Sequence, residues 1–257
     1  MADLKDLYEQ VGGLVDAHDE ILIFGHKDAD GDTLGCSLGF AEALRTIGKK
    51  AWVIIPAPVP QMYEWLPGYD RIVDRPPAGA DPQLVLFFDA GNMERSGTAV
   101  RHIAAHATIV NVDHHLTNAM FGDINVIDPD AAAVGEMVVD MLDTYGYEIT
   151  PTIATNLYTA LMTDTGGFRH ENTTAHALEY AARLERLGAN PGLIAPMVCK
   201  SRPPTTLKLH ALSLAGVRGQ AESRRVWADG TGPAPKAAQP GVPAAGVLID
   251  HRSPDRG

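Results

Sequence analysis

Residues 26–32 read His-Lys-Asp-Ala-Asp-Gly-Asp (HKDADGD), between an apolar run at 21–24 and a helical pattern that begins near Thr33. This order predicts a buried strand, an acidic turn and a helix. Carboxylates packed at the end of a buried strand repel one another, and each is costly to desolvate alone. A bound divalent cation is the simplest compensation, because His and Asp are suitable ligands. The stretch therefore predicts one part of a metal site.

Two other interpretations of this stretch are an acidic surface turn without a ligand and an EF-hand loop. Asp28, Asp30 and Asp32 imitate the first half of an EF-hand loop. That loop needs Gly at its sixth position and Glu at its twelfth, where this chain has Thr33 and Gly39. The EF-hand is therefore excluded, and a metal site at this turn needs ligands from elsewhere in the chain.

The composition is that of a chain with a sizeable core. The chain has 257 residues, 45% of them hydrophobic, which suits one large domain or one domain plus part of another. No apolar run approaches the roughly 20 residues that span a bilayer, and residues 1–10 lack a signal-peptide core. The two cysteines, Cys36 and Cys199, have no metal or redox spacing. We therefore expect a reduced, cytoplasmic protein without a membrane partner.

The net charge of −11 is unevenly distributed along the chain. Residues 1–175 hold 10 Lys and Arg against 26 Asp and Glu, whereas residues 176–257 hold 11 against 6. An acidic body argues against binding of long duplex nucleic acid, which needs a basic footprint. It suits carboxylates that cations partly neutralise. The basic C-terminal third either faces an anionic substrate or forms solvated helix faces.

Apolar strands alternate with helical patterns, which predicts an α/β fold with a mostly parallel sheet flanked by helices. Strands are predicted at 21–25, 51–55, 84–88, 108–112 and 125–127. Helices are predicted at 3–18, 33–47, 62–66, 100–107, 131–145, 152–162, 173–187, 191–199 and 204–215. Ala, Pro and Gly make up 16 of the 32 residues of 226–257, which predicts a poorly structured tail.

Acidic residues and histidines follow three of the predicted strands, at the ends where the strands of a parallel sheet share one ligand-binding edge. With Asp164 at a helix end, this edge would gather His26, Asp30, Asp32, Asp89, Asp113 and His114. The set is too large for one ion and suits two cations that share a bridging carboxylate and generate a hydroxide nucleophile. Ligands without thiolate favour Mn²⁺, with Mg²⁺, Co²⁺ and Zn²⁺ as alternatives. The other interpretations are one structural metal, or acids satisfied by hydrogen bonds.

The sequence Asp113-His114-His115 after an apolar strand resembles the signature of the DHH phosphoesterase superfamily. Three further segments resemble the other motifs of that superfamily, in the same order: residues 25–32, Phe88-Asp89 with Arg95, and residues 161–169. The similarity runs from about residue 20 to about residue 215. Within the superfamily the chain is most similar to the group of oligoribonucleases and 3′-phosphoadenosine 5′-phosphate phosphatases.

The resemblance implies a role for each residue of the set. His26 and Asp30 would bind one metal, Asp32, His114 and Asp164 the other, and Asp89 would bridge both and be essential for catalysis. Asp113 would orient a ligating histidine, with a purely structural hydrogen bond as the alternative. His115 would contact the scissile phosphate or protonate the leaving group, and Arg169 would bind phosphate, with a structural histidine and a surface ion pair as the respective alternatives.

The resemblance also implies an arrangement of domains. We expect a DHH-type catalytic domain over 1–190, a helical linker over 191–217 and an Ala/Pro/Gly-rich tail over 218–257. Members usually carry a second domain with a Gly-Gly-Gly-His type motif for the far end of the substrate, which we do not find here. The expectation is a truncated or frame-altered relative or a lone catalytic domain, and exposed apolar surface could then favour a homodimer.

The implied function is hydrolysis of short oligoribonucleotides or 3′-phosphoadenosine 5′-phosphate by water that two metals activate. Cyclic- or linear-dinucleotide phosphodiesterase and inorganic pyro- or polyphosphatase activities are the alternatives within the enzyme class. A catalytically impaired module that binds metal and nucleotide is the alternative from another class.

Overall fold

The computed structural model describes residues 3–200 and three short strands at 217–220, 225–228 and 248–250. The chain divides into two compact units, Met1–Lys200 and Ser201–Gly257. None of the helices described is both long enough and apolar enough to cross a membrane. The first unit carries the residues of the predicted metal site.

Six parallel strands and six α-helices form the first unit, as the alternating sequence pattern predicts. The strands are β1 Glu20–Phe24, β2 Lys50–Ile54, β3 Ile72–Val73, β4 Leu84–Phe88, β5 Thr108–Asp113 and β6 Ile124–Ile127. The helices are α1 Leu4–Ala17, α2 Gly31–Thr46, α3 Val134–Tyr145, α4 Pro151–Asp164, α5 Ala175–Arg186 and α6 Pro191–Lys200. Short 3₁₀ segments lie at 61–63, 69–71 and 93–102.

The strand order places the ligand-binding edge at the centre of the sheet. The order is β3-β2-β1-β4-β5-β6, and every pairing in it is parallel. The chain therefore builds outward from β1 to β3 and returns to β4 on the other side of β1. At such a reversal the connections leave in opposite directions and open a crevice at the carboxyl ends of the two strands. The turns after β1 and β4 line this crevice.

Alternate residues of the central strands enter two separate cores. Ile21 and Ile23 face the larger core, which the helices cover, whereas Leu22 and Phe24 face a smaller one. In the smaller core the rings of Phe24 and Phe87 stack with their centroids 5.0 Å apart. Burial on both faces explains the continuous apolar sequence of these strands. It also fixes their register, because a shift by one residue would exchange the two cores.

Three glycines at a spacing of four residues bring α2 against α4. A Cβ atom at Gly35 would lie 2.4 Å from the backbone oxygen of Asn156, and one at Gly31 would lie 2.4 Å from the Thr163 side chain. Gly39 continues the same face, opposite Leu157. The helices can approach this closely only because these positions lack side chains. The approach sets the first turn of α2 beside the last turn of α4.

The structure differs from the predicted elements at two places, and a third element cannot be compared. The helix predicted at 100–107 is wrong: 3₁₀ turns cover 93–102, broken at Gly97 where φ is +67°, and Ile103 is extended. The two-residue strand β3 was not predicted, being too short for a hydrophobic pattern. The helix predicted at 204–215 lies outside the described residues.

The second unit contains a small antiparallel sheet that the sequence pattern did not predict. Its strands are β7 Val217–Gln220, β8 Arg225–Ala228 and β9 Leu248–Asp250, in that spatial order. The last of them overlaps the apolar run at 247–249. The other residues of the expected tail lie outside the described residues.

A pair of glycine substitutions tests the packing of α2 on α4. We expect Gly35→Ala to lower the free energy of unfolding by about 2 kcal/mol or more, because the new methyl group meets backbone. Gly13→Ala is the matched control in α1, since nothing lies within 4 Å of its Cβ position. That change should raise the free energy of unfolding by about 0.5–1 kcal/mol. Urea unfolding followed by circular dichroism measures both, and equal effects would contradict the packing described.

Candidate metal centre

The turn after β1 presents one imidazole and one carboxylate to the crevice. The buried ring of His26 donates from Nδ1 to the carbonyl oxygen of Lys27, at 2.5 Å. Its Nε2 atom therefore faces Asp89, 3.3 Å from Oδ2. Asp30 caps α2 and accepts hydrogen bonds from the backbone N–H groups of Asp32 and Thr33, both at 3.0 Å. The cap leaves part of the Asp30 carboxylate directed outward.

Asp89 lies at the centre of the cluster, directly after β4. Its backbone has a φ of +57°, a left-handed conformation that is uncommon outside glycine. Its buried carboxylate accepts a hydrogen bond of 2.5 Å from Thr33 Oγ1. The two carboxylate oxygens face different histidines, with Oδ1 3.9 Å from His114 Nε2 and Oδ2 toward His26. This position is the one expected of a bridging ligand.

Asp32 is completely buried and bound by the N-terminus of a second helix. Its Oδ2 atom accepts from Val134 N at 2.7 Å, and its Oδ1 atom accepts from Gly135 N at 2.9 Å. Val134 and Gly135 begin α3, so the carboxylate lies at the positive end of that helix. These contacts fix the orientation of a carboxylate that lies far from α3 in the sequence.

His114 and Asp164 complete the group around Asp32. The ring of His114 bonds through Nδ1 to the carbonyl oxygen of Ala131, at 3.0 Å, which requires Nδ1 to carry the proton. Its Nε2 atom is then unprotonated in the neutral ring and lies 3.3 Å from Asp164 Oδ2. A neutral imidazole held in this tautomer is the form that binds a metal.

Asp113 holds the ring of His115 rather than that of His114. Its Oδ1 atom accepts from His115 Nδ1 at 2.7 Å and from the backbone N–H of His114 at 2.9 Å. Its Oδ2 atom accepts from Asn118 Nδ2 at 2.6 Å. Asp113 therefore orients His115, the histidine predicted to contact phosphate, and its predicted part in orienting a metal ligand stays a prediction.

The segment 131–136 ties several of these residues together. Its carbonyl oxygen at 131 holds His114, and its N–H groups at 134 and 135 hold Asp32. Glu136, which is buried, fixes the segment by accepting from Ala132 N at 3.0 Å. His176 on α5 lies 2.6 Å from the other Glu136 oxygen. The sequence drew no attention to Glu136 or His176, because both occur within ordinary helical patterns.

Burial and mutual repulsion perturb the carboxylates of the cluster. Burial raises the pKa of Asp32 well above its usual range, and the charges of Asp89, Asp164 and Asp30 add to the effect. Burial likewise raises the pKa of Asp164 to about 6. Burial also opposes ionisation of Asp113, but its hydrogen bonds from His115 and Asn118 outweigh that cost and lower its pKa. Negative charge at this edge of the sheet is thus only partly compensated by the protein itself.

The side chains fit a metal centre. Three groups of residues could hold an ion, and within each group the possible ligand atoms lie within 4.8 Å of one another. The groups are His26-Asp30-Asp89, Asp32-His114-Asp164 and Asp89-His114-His115. The first two groups share no residue. Asp89 belongs to the first group, and its Oδ1 atom lies 3.9 Å from His114 Nε2 of the second. Nitrogen and carboxylate oxygen atoms without sulfur suit Mn²⁺, Mg²⁺, Co²⁺ or Zn²⁺.

Two of the residues considered from the sequence lie apart from this arrangement. Arg169 is exposed on the turn after α4, and its Nε donates to the carbonyl oxygen of Gly166 at 2.7 Å. Within residues 3–200 it makes no hydrogen bond or ion pair with the cluster, and its predicted phosphate contact stays a prediction. Asp28, which we did not assign as a ligand, is exposed at a positive φ of 58°. By contrast, the sequence alone did not identify Thr33 and Asn118, which donate hydrogen bonds to Asp89 and Asp113 respectively.

The bond between Asp113 and His115 generates a prediction about titration. The carboxylate raises the pKa of His115, since it stabilises the protonated ring more than burial disfavours it. In metal-free protein, Asp113→Asn removes that charge, so the pKa of His115 should fall. The ring of His115 in the variant then loses its proton at a lower pH than the ring in the wild type. Titration of the His115 Cε1–H signal by NMR measures this shift. An unchanged or higher pKa would show that Asp113 is not the partner that stabilises the protonated ring of His115.

Comparisons with known proteins support the fold and the motif set. A family model described as "DHH family, N-terminal domain" matches residues 20–163. A curated relative from Thermus thermophilus, named bifunctional oligoribonuclease and PAP phosphatase NrnA, is 37% identical over 201 residues, which are 77% of this chain and 59% of the relative. A Bacillus subtilis protein of the same name is 28% identical over 174 residues, 66% of this chain and 54% of its own length. The chain thus spans between half and three fifths of these relatives.

Solved structures with a similar fold include an exopolyphosphatase-related protein from Bacteroides fragilis. Its TM-score is 0.76 at 24% identity, covering 84% of this chain and 66% of the other. A putative family II inorganic pyrophosphatase from Methanococcus jannaschii has a TM-score of 0.52 at 16% identity, covering 76% and 62%. At these identities the likeness concerns the fold.

Proposed function

This chain belongs to the DHH family. We propose that it is a metal-dependent phosphoesterase that uses two divalent cations to hydrolyse short oligonucleotides or nucleotides. The observation that carries the proposal is the pair of ligand groups at the β1/β4 crevice, with the Asp89 carboxylate between them. His26 and Asp30 would hold one cation, and Asp32, His114 and Asp164 the other. Asp89 would bridge both.

The chemistry follows from what such a pair of cations supplies: activation of water and stabilisation of charge on phosphoryl oxygens. The residues around the ligands would do the rest. Thr33 and the N–H groups of Val134 and Gly135 hold the ligating carboxylates in place before substrate arrives. Such preorganisation lowers the cost of orienting charge during the reaction.

His115 would act on the substrate directly. It is 38% exposed, whereas the side chains of His26 and His114 are 5% and 13% exposed, so it can reach a bound molecule. Asp113 binds its Nδ1–H and stabilises the protonated ring. A protonated His115 would donate a hydrogen bond from Nε2 to the scissile phosphate or give a proton to the leaving oxygen.

The substrate proposal comes from the relatives. The Thermus thermophilus and Bacillus subtilis proteins carry the name of an oligoribonuclease and PAP phosphatase, and each aligns with more than half of this chain. We therefore propose short oligoribonucleotides and 3′-phosphoadenosine 5′-phosphate as substrates. Dinucleotide, pyrophosphate and polyphosphate hydrolysis use the same ligands and stay predictions that a substrate panel separates. The preference for Mn²⁺, the cytoplasmic location, the homodimer and the domain boundaries also stay predictions.

Replacement of the proposed bridging ligand tests the activity. We expect Asp89→Ala to abolish Mn²⁺-dependent release of product from diadenylate and from 3′-phosphoadenosine 5′-phosphate, because both cations lose a ligand. Asp19→Ala is the matched control, since it removes the same charge from a side chain that is 97% exposed. Product release is followed by chromatography, with circular dichroism to confirm that both variants are folded.

Near-normal turnover by a folded Asp89→Ala variant in saturating Mn²⁺ would overturn the bridging assignment. Binding of nucleotide without turnover by the wild type would instead favour the catalytically impaired binding module. Turnover of inorganic pyrophosphate alone would overturn the proposed substrates and leave the metal chemistry in place.

The segment 131–136 provides a test of the second cation alone. Glu136→Ala removes the acceptor that fixes Ala132 N, so His114 and Asp32 lose part of their support. We expect one Mn²⁺ to bind as in the wild type and the other about tenfold or more weakly, the usual cost of disturbing groups that orient ligands. Glu136→Gln keeps an acceptor, so its affinity for the second Mn²⁺ should lie between those of the wild type and of Glu136→Ala. Isothermal titration measures both affinities, and a uniform loss at both sites would point to general destabilisation instead.

A further inference from the structure

A cavity of about 440 Å³ opens beside the metal centre, at the carboxyl ends of β2 and β3. Ile55, Pro56 and Ala57 form an apolar part of its wall, and residues of the segment 97–102 form another part. Its volume lies within the range of pockets that bind small molecules. The positions of its charged residues indicate what kind of molecule that is.

The charged lining of the cavity is mainly positive. Lys27, Arg75 and Arg101 line it together with His102, against one carboxylate, that of Asp74. Arg75 is paired with Asp74, with two contacts of 3.2 Å. Within residues 3–200, Lys27 and Arg101 make no side-chain hydrogen bond or ion pair. A positive cavity is notable in a region that holds 26 acidic and 10 basic residues over 1–175.

The turn after β1 connects the lining of the cavity to the candidate metal site along the chain. Lys27 follows His26 directly, and its backbone N–H donates to the carbonyl oxygen of Arg95 at 2.7 Å. That bond ties the turn to the chain segment that leads into the cavity wall. Gly97 allows this segment to approach Pro56, because its φ is +67° and a Cβ atom there would lie 3.3 Å from the Pro56 side chain. The lining of the cavity and the proposed metal ligands are therefore direct neighbours at Lys27 and His26.

We propose that this cavity is a subsite for a second phosphate group of the substrate, with the attached sugar against its apolar wall. The inference rests on the proposed function, because it places the scissile phosphate at the cluster. Lys27 and Arg101 would bind the second phosphate by charge-assisted hydrogen bonds. The subsite favours nucleotides with two phosphates, such as a nucleoside bisphosphate or a 5′-phosphorylated dinucleotide, over those with one.

Kinetic selectivity tests the subsite in the full chain with Mn²⁺. We expect Arg101→Ala to lower the ratio of kcat/KM for 3′-phosphoadenosine 5′-phosphate to that for p-nitrophenyl phosphate about tenfold, mainly through KM. Arg101→Lys should restore part of the ratio. Asp74→Asn should raise it, because the variant removes the opposing charge. Lys5→Ala, at a side chain 73% exposed on α1, is the control for loss of one positive charge and should leave the ratio unchanged.

A binding measurement separates the subsite from catalysis. The full chain is titrated calorimetrically with 3′-phosphoadenosine 5′-phosphate in the presence of a chelator, where the acidic cluster repels phosphate. Binding that Arg101→Ala weakens about tenfold supports the subsite, and if the Mn²⁺-loaded chain then shows no turnover, only the proposed function fails. Turnover with an unchanged selectivity ratio in Arg101→Ala and in Asp74→Asn would overturn the subsite and leave the proposed function standing. Equal effects of Lys5→Ala and Arg101→Ala would also overturn it, since they would reflect net charge alone.

Discussion

Repulsion among carboxylates that share one crevice is the constraint on which this structure depends. Asp32 and Asp89 are both buried and face the same space, with Asp30 and Asp164 beside them. The protein offsets part of the charge with N–H donors from the first turns of α2 and α3. Helix N-termini favour negative charge, but they do not neutralise four carboxylates. Cations are the compensation that the side-chain chemistry of the crevice fits.

The rest of the fold brings these groups together from distant parts of the chain. The reversal of strand order places the ends of β1 and β4 side by side, and β5 adds its histidines next to them. Close packing of α2 on α4, through Gly31 and Gly35, places Asp32 near Asp164. The segment 131–136 then couples His114 and Asp32, two candidate ligands of one group, through its backbone atoms. These candidate ligands are therefore positioned by structural elements that also build the core.

Much of this arrangement follows from the sequence, because buried parallel strands leave a continuous apolar pattern. The strand at 84–88 and the acidic turn after β1 were predicted with nearly the observed bounds. The prediction fails where local pattern is weak: the irregular segment 93–102 has no single period, and β3 is two residues long. Sequence spacing also does not show which ring a carboxylate binds, so the contact between Asp113 and His115 could not be assigned from the sequence.

The supporting contacts were the least predictable part of the site. Segment 131–136 acts mainly through backbone N–H and C=O groups, which any residue type supplies, so no sequence signal marks it. Glu136 and His176 meet across α3 and α5, a contact that depends on tertiary packing. Arg169 was assigned through the family resemblance of residues 161–169, and its guanidinium contacts the carbonyl oxygen of Gly166 in the left-handed turn at 166–168, a contact that the sequence did not indicate.

Anomalous diffraction at the manganese edge, from crystals of the chain grown with Mn²⁺, tests the central claim most directly. The account predicts two peaks about 3.5–4 Å apart, the separation typical of two-metal sites. One peak should contact His26 and Asp30, the other Asp32 and His114, and Asp89 should contact both. A single peak, or peaks away from these side chains, would contradict the assignment of a two-cation centre to this crevice.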